Sequence, residues 1–132
     1  MKLRNLLIAM AAIAAPIVAS AKVPRGVWAN PSNSVHVTFV ACGAAMCGRV
    51  IWASDKAKAD AAKGTGKPLV GSMLFRDFVE QAPGQWVGTV LVPDIGQTLS
   101  GTIRQVDART LRGEGCLFAG IGCRIQTWRR IG

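Results

Sequence analysis

Apolar residues recur at every second position through most of the chain beyond residue 25. Val35, Val37, Phe39 and Ala41 share one face of a run whose other face carries His36, Thr38 and Val40. That period-2 pattern marks a strand with one buried side. A second β-branched run, near 48–53, follows a loop of small residues bounded by Cys42 and Cys47. Four residues between the cysteines suit a hairpin, and a Cys42–Cys47 bridge would pin its register. Residues 26–30 read as a short first strand stopped by the turn Asn30-Pro31-Ser32-Asn33.

Beyond residue 68 the alternation resumes, with Leu69, Gly71, Met73 and Phe75 set against Val70, Ser72, Leu74 and Arg76. Further strands are expected over 86–92, 99–104, 110–116 and 124–130. Turn signals at 81–85, 93–96 and 107–108 and a loop over 117–122 separate them. The segment 54–68 carries Lys56, Lys58, Lys63 and Lys67 without apolar periodicity. Gly64, Gly66 and Pro68 would end any Ala-rich helical turn there, so it reads as a solvated loop. About eight short strands and no helix describe an all-β antiparallel meander. Gly71, Gly88, Gly101 and Gly113 fall inside those strands, where glycine permits the bends that let a sheet coil and close. A closed barrel is expected.

The first residues lie outside that argument. Lys2 and Arg4 precede an apolar run over 6–18 and the small residues Ala19-Ser20-Ala21, the layout of a secretory signal peptide cleaved after Ala21. The run is shorter than the roughly 20 residues of a membrane span, and no cysteine follows to carry a lipid anchor. One exported domain over 22–132 is expected, periplasmic or secreted. The chain carries a formal +9. With Lys2 and Arg4 removed, basic residues still outnumber acidic ones by two to one. They are scattered, so they describe a solvated surface with weak affinity for anionic envelope surfaces, and export argues against a nucleic-acid partner.

Four cysteines, spaced C-x4-C and C-x6-C, allow three pairings. The local pairs Cys42–Cys47 and Cys116–Cys123 are favoured because each sits at an expected hairpin. A zinc site is the rival, but the spacing is looser than in zinc ribbons and export favours oxidation. No metal and no cofactor is expected. Catalysis has little to stand on either. His36 is the single histidine and lies off the core face, and the carboxylates fall mostly in turns without a close pair. No catalytic residue is assigned, and a hydrolase is the third choice of function.

Trp28, Trp52, Trp86 and Trp128 suit core and rim packing first and an aromatic pocket second. Gly26-Val27-Trp28 near the mature start and Arg129-Arg130 near the end resemble a calycin feature. In lipocalin-like barrels a G-x-W strand is crossed by an arginine of the last strand, closing one end. The resemblance implies that Arg129 or Arg130 stacks on Trp28, leaving a mouth at the opposite end, near the stapled Cys42–Cys47 loop or the lysine-bearing loop. More of the chain resembles the bacterial domain of unknown function 2147: G-V-W, C-G-A-A-M-C-G-R-V-I-W, K-P-L-V-G and the terminal C-R-I-Q-T-W-R-R. That resemblance implies an exported single-domain β protein of Gram-negative envelopes and brings no activity with it.

Two functions remain ahead of catalysis. The first is a periplasmic binding module for a small apolar or amphipathic ligand. The second is a structural or interaction protein of the envelope with a solid core and a basic surface. They differ in whether the barrel is hollow. Inward glycines leave room, whereas Phe39, Met73, Phe75 and the tryptophans fill it.

Overall fold

Strands and turns alternate along the chain as a meander that closes on itself. The computed structural model describes residues 11–12, 21–118 and 120–132, with Phe118 described by its backbone. The signal segment expected over 1–21 lies almost wholly outside them. The described residues form β1 (Val27–Ala29), β2 (Val35–Cys42), β3 (Ala45–Ala53), α1 (Asp55–Thr65), β4 (Met73–Ala82), β5 (Gln85–Val92), β6 (Gln97–Asp107), β7 (Thr110–Phe118) and β8 (Ile121–Arg130). Each strand pairs antiparallel with the next, and β8 pairs with β1 to complete a closed barrel. Among the described residues no helix is long and apolar enough to cross a membrane.

In an up-and-down barrel successive turns fall at alternate ends. One end therefore carries the chain entering β1, the chain leaving β8, and the β2–β3, β4–β5 and β6–β7 turns. The backbone ties it shut: Val27 N–H donates to Gly132 O at 3.0 Å and Ile131 N–H to Val27 O at 2.8 Å. Ala21 N–H donates to Gly43 O at 3.3 Å, which brings the incoming chain against the stapled β2–β3 turn. The Cys42–Cys47 hairpin thus belongs to the end where β1 begins and β8 finishes, so it does not border the opposite mouth as one expectation had it; the lysine-bearing segment does. The opposite end carries the β1–β2 turn, the long β3–β4 connection, and the β5–β6 and β7–β8 turns.

Three expectations need correction. The lysine-bearing segment is helical over Asp55–Thr65, not a loop. Ser54 caps it by accepting from Ala57 N–H at 3.1 Å. Gly66, at φ 67°, ends it in the left-handed turn that glycine adopts without strain. Alanines and the pairs Lys56–Asp60 and Lys58–Asp55 favour the helix locally. Ala61, 1% exposed, ties it to the core. Second, β4 begins at Met73, because Gly71 takes φ 92° and breaks the run that starts at Leu69. A register shift between Arg76 and Val79, with Asp77 at φ 54°, then lets Phe75 and Phe78 both point inward. Third, β7 and β8 extend through the expected 117–122 loop to Phe118 and from Ile121.

Candidate functional site

The barrel is solid in one half and open in the other. Toward the closed end Trp28, Val37, Met46, Phe78 and Leu111 are fully buried, and Trp86 nearly so. Phe75 and Trp128 form a floor above them, edge to face with ring centroids 5.4 Å apart. Phe39 and Phe78 support that floor at 5.5 and 5.9 Å from Phe75. Such offset contacts hold rings rigidly as well as burying area. Above the floor lie two adjoining lobes of about 320 and 260 Å³. Both are lined by Phe75, Val90, Val92, Gln126 and Trp128. Together they reach the size range of small-molecule sites, about 300–1,000 Å³.

Interior glycines play opposite parts in the two halves. A Cβ on Gly88 would stand 2.6 Å from Phe78 Cδ2, and one on Gly101 2.6 Å from Val90 Cγ2. These positions are glycine because large neighbours already fill the space. A Cβ on Gly113 would meet nothing nearer than 3.9 Å, and one on Gly115 nothing nearer than 3.5 Å. These two border the second lobe.

The polar groups of this wall come from β8. Cross-strand partners share a face, and Ile103, Gly113 and Gln126 follow one another across β6, β7 and β8, as do Gly101, Gly115 and Arg124. Ile103 and Trp128 are buried, so Arg124 and Gln126 lie on the interior side, both lining the second lobe. Ile125, between them, is 53% exposed on the outer wall. The strand is inside out near its mouth end. Trp128 Nε1–H donates to Gln126 Oε1 at 3.2 Å. An indole N–H can only donate, so this bond fixes the amide with its NH₂ free. Among the described residues Arg124 joins no ion pair.

Helix α1 lies beside this opening. Ala57, Asp60 and Ala61 line the first lobe, with Asn30 and Ser34 of the β1–β2 turn across from them. Asp60 is held by Lys56 at 2.9 Å, and that bond, with the carboxylate's charge, raises the Lys56 pKa above its usual value. The helix seats on the β5–β6 turn by close backbone approach. A Cβ on Gly64 would stand 2.6 Å from Asp94 O and nearer still to Pro93 O. Gly64→Val should therefore unseat the helix. Amide exchange over Asp55–Thr65 should quicken by about tenfold or more, an opening cost of roughly 1.4 kcal/mol, while the strands keep their protection. Unchanged exchange in the helix would show that the seat does not hold it.

Other residues singled out by sequence sit elsewhere. Cys42 is bonded to Cys47 and Cys116 to Cys123. Glu114 Oε lies with the latter pair inside 4.8 Å, but sulfurs bonded to each other offer no thiolate to an ion. Trp28 stands opposite Arg130 in the β1–β8 ladder, and Arg129 stands opposite Ala29 on the outer face. Arg130 Nε donates to Gly132 O at 3.1 Å. His36 bonds Asn33 Oδ1 at 2.7 Å and stacks near Trp52 on the outer wall, 4.4 Å between centroids. Trp52 is 45% exposed and takes no part in the cavity. Arg124 and Gln126 escaped sequence reasoning, although the signal was present: R-I-Q-T-W places arginine, glutamine and tryptophan on one face, and the tryptophan identifies that face as inner.

Comparison with known proteins agrees with this architecture. Residues 26–130 match the family model described as "Uncharacterized protein conserved in bacteria (DUF2147)", and the chain belongs to that family. No curated protein matches the chain. Among solved structures it is similar to a protein of the human pathogen Helicobacter pylori that is described as belonging to the lipocalin family. The TM-score is 0.64 at 16% identity, covering 86% of this chain and 85% of that one. The likeness establishes a lipocalin-like fold.

Proposed function

We propose that this member of the DUF2147 family is an exported binding module that holds one small amphipathic molecule in the open half of its barrel. The observation that carries the reading is the cavity itself, about 320 Å³ beside helix α1 with an adjoining lobe of about 260 Å³, over a rigid Phe75–Trp128 floor. Apolar walls with a few convergent polar groups are the usual make-up of a small-molecule site. Two disulfides in a bacterial protein point to an oxidising compartment. The signal-like N-terminus and the lipocalin-like fold support a periplasmic carrier or scavenger rather than an enzyme.

Trp128 reports on the cavity because it forms the floor. Titrating the purified protein with decanol, decanoate and decyltrimethylammonium should change tryptophan fluorescence for at least one of them. Saturation should come at one molecule per chain, with a Kd of about 1–100 μM, some 5.5–8 kcal/mol of binding. Silence toward all three probes, confirmed by calorimetry, would remove the binding reading and leave the structural one.

A further inference from the structure

We propose that Arg124 and Gln126 form an anion-reading pair, so that the molecule held in the barrel is a single-chain amphiphile with an anionic head group, carboxylate or phosphate. The inference rests on the cavity reading and adds the chemistry of the occupant. Both side chains lie on the interior face of β8 and line the same lobe. Both present hydrogen-bond donors. The guanidinium has no acceptor, and the Gln126 carbonyl oxygen accepts from Trp128 Nε1–H, which orients the amide so that its NH₂ is the end left to donate. A neutral hydroxyl head would use one of these donors, whereas a carboxylate or phosphate can accept from both.

The guanidinium of Arg124 is open to the lobe. Gly115 is the β7 partner of Arg124, so no side chain from that neighbour covers the guanidinium. The same lobe carries Val90, Val92 and Leu99, an apolar wall for the chain of an amphiphile. Asp94 of the exposed β5–β6 turn and Glu114 of β7 also line the lobe, and neither makes an ion pair with Arg124. The cation therefore remains available at the mouth. The tail would run from Arg124 along Leu99 and Val90 to the aromatic floor.

The test compares decanoate, decyl phosphate and decanol on the wild-type chain, on Arg124→Gln and on Arg124→Lys, followed by calorimetry. Arg124 is exposed, so both variants should melt with the wild type. The two anions should bind wild type about tenfold or more tightly than decanol, as expected of a charge-assisted hydrogen bond. Arg124→Gln should bring both anions to the level of decanol on the same variant, and Arg124→Lys should restore part of the preference. The tighter of the two anions identifies the head group. Decanol binding as tightly as the anions, or an anion preference that survives Arg124→Gln, overturns the proposal while leaving the cavity reading intact. Failure of all three probes overturns both.

Discussion

Replacing Trp28 with alanine should destabilise the protein by about 3–5 kcal/mol, the range for a large buried aromatic. Trp28 is fully buried on a strand of only three residues. That strand meets β2 through three residue pairs and β8 through two. Its ladder is too short to hold the seam alone, so the side chain is what closes the barrel. Trp28→Phe should cost much less. The indole Nε1–H has no hydrogen-bond partner among the described residues, and phenylalanine keeps most of the area without burying that donor. Arg130→Ala should cost about 0.5–1.5 kcal/mol, through loss of its bond to Gly132 O. Arg129→Ala, on the outer face, should stay within about 0.5 kcal/mol. Chemical denaturation of the four variants decides the matter. A Trp28→Ala cost below about 1 kcal/mol, or a larger loss at Arg129 than at Arg130, would contradict this closure of the barrel.

Alanine at two interior glycines should move stability in opposite directions. At Gly88 the new methyl would stand 2.6 Å from Phe78 Cδ2 and 2.7 Å from Arg76 O. Real side chains do not tolerate such distances, and a backbone carbonyl cannot swing aside. Gly88→Ala should cost about 1–3 kcal/mol by overpacking. At Gly113 the methyl has ordinary clearance and the backbone is not left-handed. Gly113→Ala should stabilise by about 0.4–1 kcal/mol, because alanine reduces the freedom of the unfolded chain. Melting temperatures of the two single variants test this together. Equal losses at both would mean that the β6–β7–β8 wall is packed as tightly as the other half, with no cavity there.

The barrel was legible because alternation along β2 and β6 survives almost unbroken. Val35, Val37 and Phe39 face inward, as do Gly101 and Ile103, with Leu99 half-buried beside them. Glycines in strands gave the closure, although they could not say which were filled and which left space. That depends on where Phe78 lies, and the bulge at Asp77 that aims it leaves no trace in a period-2 pattern. Helix α1 was missed because Gly64 and Gly66 read as breakers. In the structure the first is a packing contact and the second is the cap itself. The charged donor of the cavity was hidden by the usual rule that arginine faces water. On β8 the rule is reversed, with Ile125 outside and Arg124 within.

The most direct test of a half-hollow barrel is to fill the hollow. Gly113→Leu places a branched side chain where a Cβ has 3.9 Å of clearance, above the Phe75–Trp128 floor and beside Gln126. Decanoate titrated into wild type and Gly113→Leu, with thermal melts of both, separates occupancy from folding. The account predicts a melting temperature at or above that of wild type and a loss of affinity of about tenfold or more. Undiminished decanoate binding by a well-folded Gly113→Leu protein would contradict it, because the ligand would then sit somewhere other than the open half of the barrel.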